Sequence, residues 1–194
     1  MASAISDRPA GAPIPVKIVV AGGFGAGKTT FVGAISEIPP LSTEAAMTTM
    51  STGVDDTGGR RKTTTTVALD FGRLTLARDL VLYLFGTPGQ DRFFFMWDEL
   101  VRGAIGAVIL VDTRRLADCF PAVDYFESRR LPFVVAINCF DGVVEHRIED
   151  VREALDIAPE IPVVLCDARN RGSVKLGLME VTQHALTQAT GARR

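Results

Sequence analysis

Cysteine is scarce: Cys119, Cys139 and Cys166 are the whole complement of a 194-residue chain. An odd number of widely spaced cysteines, mostly in apolar surroundings, excludes a disulfide framework and a zinc cluster. It predicts reduced, buried thiols and a cytoplasmic protein. Long apolar runs are missing as well, the longest being Ala104 to Val111, too short to span a bilayer. The N-terminus carries no charged segment followed by an apolar secretory core, Ala2 stands where myristoylation needs glycine, and Gly191-Ala192-Arg193-Arg194 is not a prenylation box. Direct membrane insertion is therefore not expected, and any recruitment to a membrane would come through a partner. Nor is there an excess of one charge: 21 basic against 23 acidic residues leave a net charge of -2. That gives no basic field for nucleic acid, and Arg114-Arg115 and Arg129-Arg130 read as solvated surface pairs.

What is present is ample apolar material, 47% of the residues, enough for one globular domain without staples. Residues 1–15, with Pro9, Pro13 and Pro15 among small residues, lack apolar periodicity and read as a flexible tail. The domain is expected over 16–190, with a short tail at 191–194.

One stretch organises the rest. Gly22-Gly23-Phe24-Gly25-Ala26-Gly27-Lys28-Thr29 follows the apolar run Val16 to Ala21, precedes a helical pattern and fits G-x-x-x-x-G-K-[ST]. Glycines let the backbone curl so that amides converge on one centre, and the following helix adds its free N–H groups and positive dipole end. Phosphates are thus expected on Gly22, Gly25, Ala26, Gly27, Lys28, Thr29 and Thr30, with Lys28 as point charge and the Thr29 hydroxyl as an oxygen ligand for Mg²⁺.

Downstream, Pro39-Pro40 must stop the first helix near Ile38, since each lacks an amide hydrogen. Leu41 to Lys62, rich in Thr, Ser and Gly, reads as a long polar loop of the functional kind. Thr66 to Phe71 and Leu80 to Phe85 read as a strand pair. Then come helices near 91–102, 115–129, 146–156 and 173–189, the last capped by Ser173, alternating with strands Ile105 to Val111, Phe133 to Ile137 and Ile161 to Leu165. Continuous apolar strands alternating with helices predict an α/β, three-layer fold, a six-stranded, mostly parallel sheet with helices on both faces and ligands at the strands' C-terminal ends.

Each informative polar segment follows one of those strands. Taken in order, they resemble the Ras-like small GTPases, and among these the bacterial branch around MglA and the conservon GTPases of actinomycetes (the CvnD type). The resemblance spans about Val16 to Ala189. It implies a first switch loop at about 39–66, with Thr66 sensing Mg²⁺ and the γ-phosphate, although Thr63, Thr64 and Thr65 compete for that role. It implies a second switch at about 86–100, in which Gly86-Thr87-Pro88-Gly89-Gln90 resembles D-x-x-G-Q with Gly86 at the aspartate. Gly89 would then give its amide to the γ-phosphate and Gln90 would orient the attacking water. Asp70 or Asp112 would have to replace the missing carboxylate. Asn138-Cys139-Phe140-Asp141 resembles N-K-x-D, so Asp141 would read the guanine edge, and Cys166-Asp167-Ala168-Arg169 would bring the Ala168 amide to O6 and the Arg169 chain onto the base.

Function then reads as a GTP/GDP switch with Mg²⁺, slow hydrolysis and Lys28 and Gln90 as its catalytic residues. The alternatives are a nucleotide-binding module without turnover and a P-loop phosphotransferase. By resemblance, a roadblock-type regulator is the expected partner, with a sensor-kinase complex as a second. Arg60, Arg61 and Arg92 are candidates for an arginine supplied in cis. The run Phe93 to Trp97 is too aromatic for one face of a short helix, so either part of it is exposed to a partner or it packs in the core. His146 and His184 receive no role.

Overall fold

A computed structural model describes residues 13–39, 41–48, 64–89 and 91–191, of which 41–48, 64–68 and 91–92 are described as backbone only. The apolar run before the glycines forms β1 (Ile14–Gly22), two residues earlier than the sequence suggests. It lies at the sheet's centre, parallel to β4 (Leu80–Gly86) on one side and to β5 (Gly106–Val111) on the other. Beyond β5, β6 (Phe133–Asn138) and β7 (Val163–Cys166) continue in parallel. Beyond β4, β3 (Thr64–Ala77) runs antiparallel and carries β2 (Leu41–Thr48) on its outer edge, giving the order β2-β3-β4-β1-β5-β6-β7.

All six expected strands are present in the expected mostly parallel arrangement, and β2 extends the sheet by one. The reading of Leu41 to Lys62 as a loop is thereby corrected for its first eight residues, whereas 49–63 lie outside the described residues. An edge strand needs only a neighbour's free backbone groups, which Thr64 to Phe71 supply, so its polar composition carries no periodic signal.

Alternation along β1 divides the core. Ile18 and Val20 face a layer with Phe31, Val32 and Ile35 of α1 (Lys28–Ile35) and Val174, Leu178 and Val181 of α5 (Arg171–Gly191). Val19 and Ala21 face the opposite layer, with Trp97 of α2 (Trp97–Val101), Val123 and Phe126 of α3 (Phe120–Ser128) and Val151 of α4 (Ile148–Ala154). The three cysteines are free and buried, as expected. Among the described residues no helix is long and apolar enough to cross a membrane.

α1 to α4 are shorter than their patterns suggest, whereas α5 runs two residues further at each end than the expected 173–189. α1 ends at Ile35, where extended Ser36 turns its hydroxyl to the Ile38 carbonyl and accepts from the Arg73 amide. Asp91–Met96 and Thr113–Cys119 are 3₁₀ turns leading into α2 and α3, the second broken at Arg115 (φ -140°, ψ 48°). Asn170, not Ser173, caps α5, because its Oδ1 accepts from the Ser173 amide at 3.0 Å while the Ser173 hydroxyl accepts from the Asp167 amide. The Ser173 prediction failed because α5 already begins at Arg171: Ser173 lies inside its first turn, where its own amide needs an acceptor, and Asn170 three residues earlier supplies it.

The aromatic run is mostly core. Trp97 is buried against Phe94, Tyr125 and Phe126, and Phe93 is buried too, leaving Phe95 as the exposed ring of that run. Phe126 is fully buried between Trp97, Tyr125 and Phe133, so Phe126→Ala should lower stability by about 3–5 kcal/mol in urea unfolding. Asn170→Ala should cost about 1 kcal/mol in the same assay, through the lost cap.

Candidate nucleotide-binding site

At the C-terminal end of β1 the chain must turn away from β5 within one residue. Gly22 does this at φ +132°, with the Leu110 carbonyl only 2.2 Å from where a Cβ would stand, so only glycine fits. The loop then curls through Gly25 and Gly27, both left-handed, into the first turn of α1. Lys28 folds back over it, and its Nζ donates to the carbonyls of Gly22 at 2.8 Å and Gly23 at 2.6 Å. Burial pushes the Lys28 ammonium down to about 8, with the negative charge of Asp70 offsetting part of that cost. Thr29 and Thr30 are exposed at the mouth.

Asp70 is the residue that sequence reasoning left unplaced. In the antiparallel ladder it stands opposite Gly86, and a Cβ on Gly86 would come within 2.8 Å of the Asp70 Cβ and 2.9 Å of its Oδ2. The two positions share one space, and the carboxylate enters it from β3 instead of from β4. Asp70 Oδ2 accepts from the Thr29 hydroxyl at 2.7 Å. Asp112, the other candidate, is spent elsewhere: both its oxygens hold Arg114 at 2.8 Å, which keeps its carboxyl below the usual range.

The Thr87-Pro88-Gly89 turn closes the far side of a cleft of about 320 Å³, floored by Gly25, Gly27, Lys28 and Thr29. Gly89 lies so close to the loop that a Cβ there would sit 2.7 Å from Lys28 Nζ and 2.9 Å from the Phe24 Cα. Thr87, absent from the sequence candidates, is 2% exposed, and among the described residues its hydroxyl has no protein partner. Its place inside the G-T-P-G-Q segment was the available signal. Gln90 lies outside the described residues, and Thr66 is described only as backbone, paired with Ala46 in the β2–β3 ladder.

At the other end of the loop Asn138 is buried, donating through Nδ2 to the Ala26 carbonyl at 2.9 Å and accepting from the Ala168 amide at 3.1 Å. In this conformation the Ala168 amide, expected to meet guanine O6, donates to Asn138 Oδ1. Asp141 is left-handed (φ 57°) and largely exposed, and its carboxylate accepts from Arg169 Nη1 at 2.8 Å. The same guanidinium contacts Asp167 at 3.2 Å. Cys139, at the lysine position of the resemblance, is buried against the Ile137 carbonyl and does not reach the surface. The structure thus gathers the loop residues, Asp70 and Gly89 in one cleft, and Asn138, Asp141, Ala168 and Arg169 beside it.

A family model described as a conserved hypothetical ATP-binding protein matches residues 20–188. The chain belongs to that family. It is also 30% identical, over 65% of its length and 71% of the relative's, to an uncharacterised protein of Methanocaldococcus jannaschii. Among solved structures, the G domain of the T. maritima FeoB iron transporter superposes with a TM-score of 0.60 at 18% identity, covering 89% of this chain and 99% of that one. The Arl6 BBS3 small GTPase from Trypanosoma brucei, bound to GppNp, gives 0.60 at 16% identity over 90% and 99%. These likenesses show the P-loop GTPase-like fold, and the family shows a nucleotide-binding P-loop protein.

Only the ammonium form of Lys28 supplies a charge to phosphates. Its pKa in the free protein is about 8, so binding above that pH requires proton uptake. Triphosphate affinity should then fall about tenfold per pH unit above pH 8 and stay flat below it, as read by calorimetry in two buffers of different ionisation enthalpy.

Proposed function

We propose that this protein is a GTP-binding switch with slow intrinsic hydrolysis, in which Thr66 and Gly89 report the γ-phosphate. One observation carries the reading: the turn ending at Gly89 rests against Lys28 and Phe24, at the outer end of the phosphate loop. A third phosphate entering beside Lys28 must displace or recruit that turn, which couples nucleotide state to the chain that follows. Gln90, next in sequence, would orient water, and partners of the roadblock and sensor-kinase kinds belong to this proposal through the resemblance.

The donor set at the loop suits Mg²⁺. Thr29 and Asp70 offer a hydroxyl and a carboxylate oxygen 2.7 Å apart, both hard ligands, and Thr87, whose buried hydroxyl has no partner among the described residues, lines the same cleft. When bound, the ion would neutralise phosphate charge. Asp70 would hold its hydration shell in place of the carboxylate absent at Gly86, and Thr29 would ligate it. Asp70→Ala should therefore reduce Mg²⁺-dependent GTP affinity at least tenfold, and Asp70→Gly with Gly86→Asp, which removes the Cβ that would crowd the new side chain, should recover part of it. Fluorescent-GTP titration with and without Mg²⁺ reads both, and equal affinity of Asp70→Ala and parent would remove Asp70 from the site.

A second reading, an ATP-binding protein, is favoured by the family description and by the occupied guanine determinants, Asp141 on Arg169 and the Ala168 amide on Asn138. The Asp141 carboxylate decides between them, because it can accept two donors from guanine and none in that arrangement from adenine. GTP should outcompete ATP, and Asp141→Asn should narrow the gap. Equal affinity of the parent for both nucleotides establishes the ATP reading instead. Under the GTP reading, Gln90→Leu should bind GTP within a few-fold of the parent and lose partner-stimulated turnover in single-turnover assays.

A further inference from the structure

A second cavity among the described residues lies away from the phosphates. α1 stops at Ile35, and among the described residues α5 is the other helix on that face of the sheet. What remains is a groove of about 530 Å³ between β3 and α5, floored by Ile35 and Leu82. Its walls are apolar and open, with Leu76 on β3 52% exposed and Met179 and Leu186 on α5 55% and 58%.

α5 explains the groove. It buries Val174, Leu178 and Val181 against the sheet, yet carries Leu176, Met179 and Leu186 on its outward side. A helix apolar on both faces is expected to be covered on both. The two charged residues lining the groove, Arg171 and Lys175, are both cations, one turn apart at its α1 end. Arg171 is anchored there by the Ile35 carbonyl at 3.1 Å, and Lys175 is exposed. Glu37, two residues beyond Ile35, is engaged by the Thr75 hydroxyl at 2.9 Å and feels the charge of Arg171, and neither it nor Glu180 of α5 lines the groove.

We propose that the groove between β3 and α5 docks an acidic amphipathic helix of a partner protein, its apolar stripe lying on Leu76, Met179 and Leu186 and its carboxylates on Lys175 and Arg171. A recessed floor with raised apolar walls accepts a cylinder the width of a helix. A bilayer would instead require a flat or convex apolar face, and a second copy of this chain would bring cations to cations. The site is separate from the nucleotide cleft, so the proposal stands or falls apart from the identity of the nucleotide.

The test is selection of a displayed library of 18-residue helical peptides on the full chain, followed by calorimetry of the enriched peptide on parent, Lys175→Glu and Met179→Glu proteins. Expected peptides are net negative, with apolar residues at i, i+3, i+4 and i+7, and lose at least tenfold in affinity on either variant while nucleotide affinity is unchanged. Methyl NMR of the parent should show the bound peptide shifting Leu76, Met179 and Leu186. The proposal is overturned by neutral or basic winners, by no enrichment, by shifts mapping elsewhere, by Lys175-dependent flotation with phosphatidylserine vesicles, or by dimerisation of the parent through these methyls in sedimentation.

Discussion

The side chain of Asn138 is the contact on which the nucleotide end of this fold depends. Through one amide it ties the phosphate loop at Ala26 to the loop after β7 at Ala168, three segments that are far apart in sequence. The contact is buried and saturated, so losing it would leave a carbonyl and an amide without partners at the floor of the site. It also fixes Gly27, since a side chain there would meet Asn138 Nδ2 at 2.6 Å. The loop's curl is thus held from below by a neighbouring strand as much as by its own glycines.

β3 plays the corresponding part at the phosphate end. It is the longest strand, and its pairing with β4 brings Asp70 into the space that a side chain at Gly86 would fill. The carboxylate beside the Thr29 hydroxyl is thus supplied from β3. The exchange is possible because paired positions in an antiparallel ladder project side chains to the same face at short range. The same strand continues past the cleft to Leu76, so one element links the phosphate site to the open groove on α5.

The two faces of the sheet are covered unequally. α2, α3 and α4 with their 3₁₀ lead-ins build one layer around Trp97 and Phe126, where an aromatic chain fills the volume. Among the described residues the other face has α1 and α5, and α1 has eight residues. The end of α1 at Ile35, where Ser36 is extended, therefore has a consequence beyond its own helix: it leaves the groove between β3 and α5 open.

Much of this was legible in the chain itself. The glycine loop, its Lys28 and Thr29, the apolar strands and their alternation with helices follow from local chemistry: left-handed backbone demands glycine, and buried strands demand continuous apolar residues. The order of polar segments after strands likewise put Asn138 and Asp141 at the C-terminal end of β6. What only the tertiary structure decided was long-range pairing. β2 exists because β3 offers an edge, and Asp70, not Asp112, reaches Thr29 through the pairing of β3 with β4, while Asp112 is held by Arg114. In each case the sequence carries competing groups of equal local merit, and the choice rests on which partner the fold brings within hydrogen-bonding distance.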